Sequence, residues 1–414
     1  MFGLSRVMIV AGESSGELYG SLLARTLRER NPGVEIRGVG GERMEAAGVS
    51  LISRIASSFG ITEAVKTYGQ VWQTFRQVFD ALSGFNPQVL VLIDYPDFNL
   101  RVAKKAKAMG IRVLYYVSPQ VWAWRKGRIK TIGKVVDRMA VILPFEEAIY
   151  RERQIPCEFV GHPVMDEIRE VGAEVGRGQS EDQGPWSMVR GVGAYGYTPL
   201  HLKKAVRQEF ELDHDRPVIA VMPGSRPHEI MRLLPALSGA MQRLRSMNRG
   251  YQFILPLAPN LDADLISLIR SSLGDALIIK GDSIKALMAS DMAVIASGTS
   301  TLQATLMGVP AVVVYRLSGL SYFIGKRLIR VRHIALVNVI LDHLAGALPL
   351  RIKELIQDEA GEEAIVSELM KIEHDEGYRL GLNGQMETVS RLFSGKFSSL
   401  RVAEMAEELG GRDV

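Results

Sequence analysis

Small polar residues and glycines follow apolar runs at several points in this chain, and their types and spacing could do chemistry. The stretch "IVAGESSGELYG" places Ser15 and Gly16 between an apolar run and a helical pattern. Glycine permits a tight turn, and the backbone N–H groups that open a helix favour an anion or a hydroxyl-rich ligand. The stretch lacks the glycine spacing and the lysine of the common nucleotide motifs. A plain strand-to-helix turn with a serine cap is the alternative.

Carboxylates follow a second apolar run, in "LIDYPDFNL", which contains Asp94, Asp97 and Asn99. A carboxylate held near an acceptor hydroxyl can take its proton as a new bond forms. A helix cap is the favoured interpretation of Asp97 and Asn99. Asp94 stands closer to the strand, and the sequence favours a functional role for it.

Two further turns of the same kind occur in the second half, in "VMPGSRPHEI" and "ASGTSTLQATLMGVP". Each follows an apolar run and opens a helical pattern, so that backbone dipoles and small hydroxyls could bind phosphate oxygens while Arg226 neutralises charge. The two turns together predict a diphosphate site. Its candidate residues are Gly224, Ser225, Arg226, Ser297, Gly298, Thr299, Ser300 and Thr301.

Aromatic and basic residues suggest surfaces rather than catalytic groups. In "VSPQVWAWRKGRIK", Trp122 and Trp124 precede four cations, a pattern compatible with base stacking but more often with a loop packed on its sheet. The "VWQTFRQVFDAL" stripe and the basic "FIGKRLIRVRHIALVNVIL" segment are compatible with an anionic membrane surface, although core packing is the commoner cause of such a stripe. The membrane candidates are Trp72, Phe75, Phe79, Lys326, Arg327 and Arg330.

These residues must be positioned by strands and helices, which alternating apolar runs and helical patterns indicate along the chain. Runs that are apolar on both faces indicate parallel sheets covered by helices, and the alternation restarts near "PVIAVMPGS". We therefore predict an α/β protein with two doubly wound Rossmann-like domains, whose ligands lie at the carboxyl ends of the strands. The predicted divisions are a first domain over 1–170, a linker or insertion over 171–210, a second domain over 211–370 and a helical tail over 371–414 that packs back on the body.

The length of 414 residues also favours two domains, and the single cysteine, Cys157, excludes an intrachain disulfide. The net charge of +4 is compatible with nucleic acid, anionic lipid or a phosphorylated substrate. No apolar run is long enough for a membrane-spanning helix, and a cytoplasmic protein is expected. No His/Cys cluster suggests a metal, and "DHD" and "DAD" are interpreted as surface turns. No cofactor is expected.

Taken together, the motifs resemble those of the lipid-A-disaccharide synthases, bacterial glycosyltransferases of the two-domain GT-B fold, in which the domains face a cleft. The resemblance rests on "AGESSGELYG", "IDYPDFN", "YYVSPQVWAWRKGRI", "LPFE", "FVGHPVMDEI", "PGSRPHEI", "ASGTSTLQATL", "LVNVIL" and "KELIQDE", which occur in the family's order. It implies transfer of a sugar from UDP-2,3-diacylglucosamine to the 6-hydroxyl of 2,3-diacylglucosamine 1-phosphate. The product is the β-1,6-linked disaccharide of lipid A, a lipopolysaccharide component of the Gram-negative outer membrane, and UDP is released.

The resemblance also implies roles for individual residues. It makes Asp94 the base or essential carboxylate and Arg226 the cation of the leaving group, and it places Ser15 and Gly16 on the acceptor side. The residues implied on the nucleotide side are Asn338, Glu354, Gln357 and the helix start at Ser297–Thr301. Asp97 is counted among the substrate-binding candidates.

The chain departs from the family's pattern at a few positions. Gln303 stands where glutamate is usual, and an amide cannot accept hydrogen bonds from both ribose hydroxyls as a carboxylate can. Insertions occur at 171–197 and 342–351, the second beside the implied nucleotide site. The departures leave ribose recognition and donor fit open.

The implied partners are the two acylated sugars, a membrane surface and a second copy of the chain in a homodimer; no nucleic acid is expected. The implied location is the cytoplasm, with peripheral association at the inner face of the cytoplasmic membrane. The alternatives are another GT-B UDP-sugar transferase, a UDP-sugar epimerase, and a non-catalytic protein that binds sugar nucleotides or lipids.

Overall fold

The computed structural model describes residues 3–54, 64–123, 127–176, 198–247, 250–259, 261–318, 332–344 and 351–411. The chain forms two compact units, one built from residues 1–166 and 396–414 and the other from residues 167–395. The structure thus divides the chain after Asp166 and again after Gly395. The sequence-based division differs, since it places the first boundary at 170 and treats 371–414 as one tail.

The first unit is built on a parallel sheet. Its strands are β1 (Arg6–Ala11), β2 (Glu35–Gly40), β3 (Ser50–Arg54), β4 (Val89–Ile93), β5 (Arg112–Tyr116), β6 (Arg138–Val141) and β7 (Cys157–Phe159). Their order is β3-β2-β1-β4-β5-β6-β7, and every pair is parallel. Every residue of β4 is buried, as expected for a strand with helices on both faces. The order reverses between β1 and β4, where doubly wound sheets bind ligands.

The second unit repeats the plan. Its strands are β8 (Val218–Met222), β9 (Gln252–Leu257), β10 (Leu277–Lys280), β11 (Met292–Ala296), β12 (Ala311–Tyr315) and β13 (Glu354–Ile356). They run parallel in the order β10-β9-β8-β11-β12-β13. The reversal lies between β8 and β11, so the two glycine turns of the second half follow the two strands at the switch point.

The helices connect the strands and cover the sheets. They are α1 (Ser14–Arg30), α2 (Glu42–Ala46), α3 (Ala64–Phe85), α4 (Pro96–Ala108), α5 (Arg128–Val135), α6 (Glu146–Arg151), α7 (Pro163–Gly176), α8 (Leu200–Glu209), α9 (Pro227–Ser246), α10 (Ala263–Leu273), α11 (Ser283–Ala289), α12 (Thr299–Leu306), α13 (Leu336–Asp342), α14 (Glu362–His374), α15 (Glu376–Phe393) and α16 (Ser398–Gly410). The helical C-terminal region expected from the sequence is therefore present.

The last helix, α16, returns to the first unit and packs on α1, β4 and β5. Asp166 anchors its first turn from a fully buried position, because its carboxylate accepts hydrogen bonds from the backbone N and the hydroxyl of Ser398 at 3.0 and 2.7 Å. The hydroxyl of Ser399 donates to the other carboxylate oxygen, and the Tyr116 hydroxyl donates to Ser398 at 2.8 Å. The first unit is complete only when this C-terminal helix is in place.

The aromatic stripe of α3 has two different environments. Trp72 is 51% exposed, whereas Phe75 is buried and its ring stacks on Phe98 with centroids 4.0 Å apart. Phe79 packs against the same core from a partly buried position. The prediction that Phe75 faces a membrane is wrong, because the core of the first unit covers it. Lys326, Arg327 and Arg330 lie outside the described residues.

Among the described helices, none is both long and apolar enough to cross a bilayer. Both acidic triplets are exposed at the surface, as predicted; the first lies in a turn and the second opens α10. Asp262 caps α10 by accepting a hydrogen bond from the backbone N of Leu265 at 2.7 Å, and Asp213 accepts one from the backbone N of Asp215. Among the described residues, no group of histidine, cysteine, aspartate and glutamate side chains could hold a metal ion.

Candidate active site

The turn after β1 lies beside the end of β4. Ala11 pairs with Ile93 in the sheet, and the Cα of Gly16 lies so close to both that an added Cβ would be 3.5 Å from each side chain. Gly16 is buried, and the first turn of α1 packs on the ends of the two strands. Ser15 is exposed one residue earlier. Of the two predicted residues, Ser15 is therefore the one whose side chain is open to a ligand.

Asp94 follows β4 directly and has an unusual backbone. It has a φ of 47° and Tyr95 has a φ of 45°, so two successive non-glycine residues lie in the left-handed region. Burial, and then the charge of Glu13, raise the pKa of the Asp94 carboxyl to about 6. A carboxylate with this pKa is ionised at neutral pH, yet is a stronger base than an ordinary aspartate.

Asp97 is exposed in the first turn of α4 and forms an ion pair with Arg128 of α5. This pair ties the beginning of one helix to the beginning of the next. The ion pair gives Asp97 a structural role in joining α4 to α5. Its interpretation as a substrate contact stays a prediction.

The loop after β5 contains Trp122, which packs against residues at the beginning of α6. The Trp122 indole N–H donates to Glu146 at 3.1 Å, and its ring meets that of Phe145 edge-on. Glu146 is buried, and burial raises the pKa of its carboxyl to about 8. Ser118 shares a hydrogen bond with Tyr150 beneath the same loop. The packing interpretation of Trp122 is consistent with these contacts, whereas Trp124 lies outside the described residues.

In the second unit, the turn after β8 leads into α9 through Gly224, Ser225 and Arg226. Gly224 has a φ of 104°, a conformation that favours glycine. Ser225 is exposed, and Arg226 donates from Nη1 to Glu229 Oε1 at 3.2 Å. Glu229 is buried in the first turn of α9 and therefore orients the guanidinium. Sequence reasoning missed Glu229, although its place three residues after the cap is the spacing at which such side chains return to a helix start.

The turn after β11 opens α12. Gly298 is exposed, and Ser297, Thr299 and Ser300 are partly exposed. The Ser297 hydroxyl donates to the carbonyl of Ile334 at 2.9 Å. An added Cβ on Gly224 would lie 3.5 Å from the Cβ of Ala296, the last residue of β11. The structure thus brings the two predicted phosphate-binding turns together.

The buried Asn338 and the partly buried Glu354 form one hydrogen-bonded network. Asn338 is fully buried, and its amide N donates to the Ile352 carbonyl and to Glu354 Oε1, both at 2.8 Å. Its amide oxygen accepts from the backbone N of Ile352 at 3.1 Å. Glu354 also accepts from the backbone N–H groups of Ile334 and Ala335, each at 3.0 Å. The network fixes the start of α13 against β13.

Gln357 and Gln303 are also engaged within the second unit. The amide of Gln357 pairs with the backbone of Leu317, accepting at 2.6 Å and donating at 3.2 Å. Gln303 is buried, and its amide donates to Glu167 Oε2 at 2.9 Å. Glu167 was not a predicted site residue, and no local pattern could have found it, because 136 positions separate the two partners.

Comparison with known proteins identifies the family to which this chain is similar. A family model described as "Lipid-A-disaccharide synthetase" matches residues 7–180 and 198–396. A lipid-A-disaccharide synthase of Geobacter sulfurreducens is 37% identical over 412 residues, covering 99% of this chain and 98% of the relative. These matches span both sheets and every described candidate residue.

Solved structures share the architecture at low sequence identity. A UDP-GlcNAc 2-epimerase of Neisseria meningitidis bound to UDP-GlcNAc aligns with a TM-score of 0.63 at 12% identity, covering 97% of this chain and 99% of its own. A calicheamicin glycosyltransferase aligns with a TM-score of 0.57 at 15% identity, covering 100% and 99%. At such identities the likeness concerns the fold alone. The predicted fold class, two doubly wound α/β domains of the GT-B type with a helical C-terminal region, is confirmed.

Proposed function

The chain belongs to the lipid-A-disaccharide synthase family and is a glycosyltransferase of lipid A biosynthesis, and we propose that Asp94 is the base of its reaction. In this reaction the 6-hydroxyl of 2,3-diacylglucosamine 1-phosphate attacks the anomeric carbon of UDP-2,3-diacylglucosamine. The O–C bond forms as the bond to UDP breaks, so the α-linked donor gives a β-1,6 linkage by one inverting displacement.

The observation that carries the proposal is the chemistry of Asp94 at the switch point of the first sheet. Its pKa of about 6 means that the ionised form predominates at neutral pH and can accept the proton of the attacking hydroxyl. Ser15 is exposed on the neighbouring turn, which is a suitable position for a sugar or phosphate of the acceptor. Both groups lie in the first unit, so we assign the acceptor to this unit.

We assign the donor to the second unit. The departing diphosphate develops negative charge, which is stabilised by fixed donors and cations aimed at it. Arg226 is held by Glu229 at the start of α9. The turn that opens α12 offers small hydroxyls and backbone N–H groups beside it. The network of Asn338 and Glu354 supports this surface by holding the backbone at Ile334 and Ala335.

Both substrates carry acyl chains, so we place the enzyme at the inner face of the cytoplasmic membrane as a peripheral protein. Trp72 is a large exposed apolar residue of α3 and is the proposed contact in the first unit. Lys326, Arg327 and Arg330 would add attraction to anionic lipid. A homodimer remains part of the proposal.

The test is an assay that follows UDP and disaccharide together, with both acylated substrates, for the wild type, Asp94→Ala and Asp80→Ala. Asp80 is an exposed carboxylate of α3 and serves as the matched control. We expect Asp94→Ala to lose at least about 100-fold in kcat and Asp80→Ala to lose nothing. The wild-type kcat/KM should rise with pH through about 6 and then level, because the base of the free enzyme must be ionised.

Two outcomes would contradict the proposal. Release of UDP without the acceptor would indicate a different reaction of the donor. Formation of disaccharide by Asp94→Ala at the wild-type rate would remove Asp94 from the proton transfer, while leaving the family's substrates in place.

A further inference from the structure

The backbone at the end of β4 is strained, and a defined set of bonds holds it. Asp94 and Tyr95 are both left-handed, a conformation that is uncommon outside glycine; aspartate and asparagine adopt it more often than other residues, whereas a tyrosine seldom does. Val117, at the end of the adjacent β5, has a φ of 66°, which is an outlier for a β-branched residue. Such strain persists only where surrounding contacts enforce it, and it concentrates at functional sites.

Two side chains from different elements converge on the peptide carbonyl of Asp94. The amide N of Asn99, on α4, donates to this carbonyl at 2.7 Å and to the preceding carbonyl of Ile93 at 3.1 Å. The hydroxyl of Tyr115, on β5, donates to the Asp94 carbonyl at 2.7 Å. Asn99 and Tyr115 are both fully buried. The peptide that follows Asp94 is therefore held from two directions.

The residue types suit this task. A neutral primary amide can donate two hydrogen bonds without bringing a charge into the core, and Asn99 uses both on successive carbonyls. Its oxygen, Asn99 Oδ1, is buried and has no hydrogen-bond partner among the described residues. An unsatisfied buried acceptor destabilises the fold, so stability alone does not explain an asparagine here. Tyr115 remains a donor at every working pH, because burial raises the pKa of its phenol well above the ordinary value.

The held backbone also fixes Tyr95, the next residue. Its ring stacks on Phe98 with centroids 5.4 Å apart and lies against Gly12, where an added Cβ would be only 2.2 Å from the ring. Any rotation of the 94–95 peptide would therefore disturb the turn that carries Ser15. The direction of the Asp94 carboxylate and the shape of the neighbouring turn depend on the same peptide.

We propose that Asn99 and Tyr115 are positioning residues for the transfer reaction, which hold the Asp94 carbonyl and thereby keep its carboxylate aimed at the acceptor hydroxyl. Neither residue touches a substrate in this proposal. It rests on the proposed function, which assigns the proton transfer to Asp94.

The test compares Tyr115→Phe with Tyr116→Phe. The two tyrosines are neighbours on β5, both are buried, and each loses one hydroxyl bond; the Tyr116 hydroxyl, however, donates to Ser398 rather than to Asp94. We expect Tyr115→Phe to reduce kcat about tenfold, with the KM of both substrates within about twofold of wild type, because the base is misplaced while binding is retained. The acidic limb of its pH profile should move to lower pH as the carboxylate gains solvent. Tyr116→Phe should leave kcat and the limb unchanged.

A second variant examines the other donor. Asn99→Ala removes two bonds and should reduce kcat more than Tyr115→Phe does. The double variant should lose less than the product of the two single losses, because both side chains act on one carbonyl. If Asn99→Ala fails to fold, the two tyrosine variants decide the question alone.

Equal effects of Tyr115→Phe and Tyr116→Phe on kcat and on the pH profile, with an active wild type, would overturn the positioning role and leave the proposed function standing. A wild type that makes no disaccharide would instead overturn the proposed function. In that case the role in the transfer reaction falls as well, and carboxyl-carbon NMR titration tests whether Tyr115 controls the environment of the Asp94 carboxylate: a pKa of Asp94 that falls in Tyr115→Phe and not in Tyr116→Phe shows that it does, and identical pKa values show that it does not.

Discussion

The carboxyl edges of the two sheets use polar side chains in opposite ways. In the first unit, Asp94 ends a strand on left-handed backbone, and burial raises the pKa of its carboxyl to about 6. In the second unit, Glu354 accepts three hydrogen bonds, from two backbone N–H groups and from Asn338. At the first edge, burial outweighs the hydrogen bond from the Tyr95 backbone and keeps the Asp94 carboxylate in an unfavourable environment, whereas at the second edge Glu354 and Asn338 satisfy each other and the backbone around them.

This difference distinguishes a residue suited to proton transfer from residues that hold the backbone in place. A group that is strained and poorly solvated is a candidate for proton transfer, because its surroundings raise its basicity. The satisfied network around the buried Asn338 instead fixes backbone, and the carbonyl of Ile334 accepts a hydrogen bond from Ser297 of the predicted phosphate-binding turn. Substitutions at the first edge should therefore change rate at little cost in stability, and substitutions at the second should first change stability.

The largest effect on stability is expected for Asn338→Ala. It removes the side-chain partners of the backbone N and O of Ile352 and one of the two hydrogen bonds that Glu354 Oε1 accepts, the other coming from the backbone N of Ala335. Unsatisfied buried groups of this kind destabilise a protein, here by about 3 kcal/mol. Urea denaturation of the purified variant measures the change. An unchanged midpoint together with lost donor binding would make Asn338 a ligand contact and would break the comparison.

A smaller change of opposite sign is expected for Asp94→Asn. The pKa of Asp94 in the folded protein is about 6, above the ordinary 3.8, so protonation favours the folded state. This contribution is complete below about pH 3.8 and is lost as pH rises through 6, and the ionised carboxylate is destabilising at pH 7.5. The neutral amide should therefore stabilise the protein at pH 7.5 by about 1–2 kcal/mol, after allowance for partial solvent screening.

Urea denaturation of Asp94→Asn at pH 7.5 and at pH 5 measures this gain, which should shrink at the lower pH. Asp80→Asn, at an exposed site of the same unit, is the control and should show no gain. A loss of stability in Asp94→Asn at pH 7.5 would mean that the carboxylate is well satisfied, and the two edges would then be alike.

The smallest effect is expected for a substitution of Gln303, which stands where the family resemblance implies a glutamate. Gln303→Glu would set two carboxylates at the 2.9 Å distance of the present bond to Glu167, where repulsion raises the pKa of one of them. We expect a loss of about 1 kcal/mol in stability and a small rise in the KM of the UDP-sugar. The exchanged pair, Gln303→Glu with Glu167→Gln, should restore both quantities. An exchanged pair no better than the single variant would show that Gln303 and Glu167 do not act as a unit.

The turns that carry these groups could be predicted from the sequence. Apolar runs that end in glycine and small polar residues indicated the strand ends at Gly12, Gly224 and Gly298, because parallel strands collect their loops at one edge. The strain at Asp94 could not be predicted. It depends on Tyr115 from the next strand, and no sequence pattern states that its hydroxyl meets the Asp94 carbonyl.

Two other features of the structure could not be predicted from patterns in the sequence. The aromatic stripe of α3 predicts one apolar face, but a helix can carry a residue at the edge of that face, and only tertiary packing separates exposed Trp72 from buried Phe75. The helical period of the C-terminal region predicted helices, yet it did not indicate that α16 alone rejoins the first unit. Asp166 decides that return, through bonds to residues more than 230 positions away.

Because α16 is translated last and packs on the first unit, it determines the order in which the two units can finish folding during synthesis. The second unit is one continuous stretch, whereas the first needs a helix translated roughly 230 residues after Asp166. At about 5–20 residues per second, the first sheet waits on the order of ten to fifty seconds for this helix. During that interval the face that α16 will cover is open, and the carboxylate of Asp166 lacks its serine donors. The first unit to be translated is thus the last to be finished, and the nascent chain presents to chaperones a surface that the mature enzyme conceals.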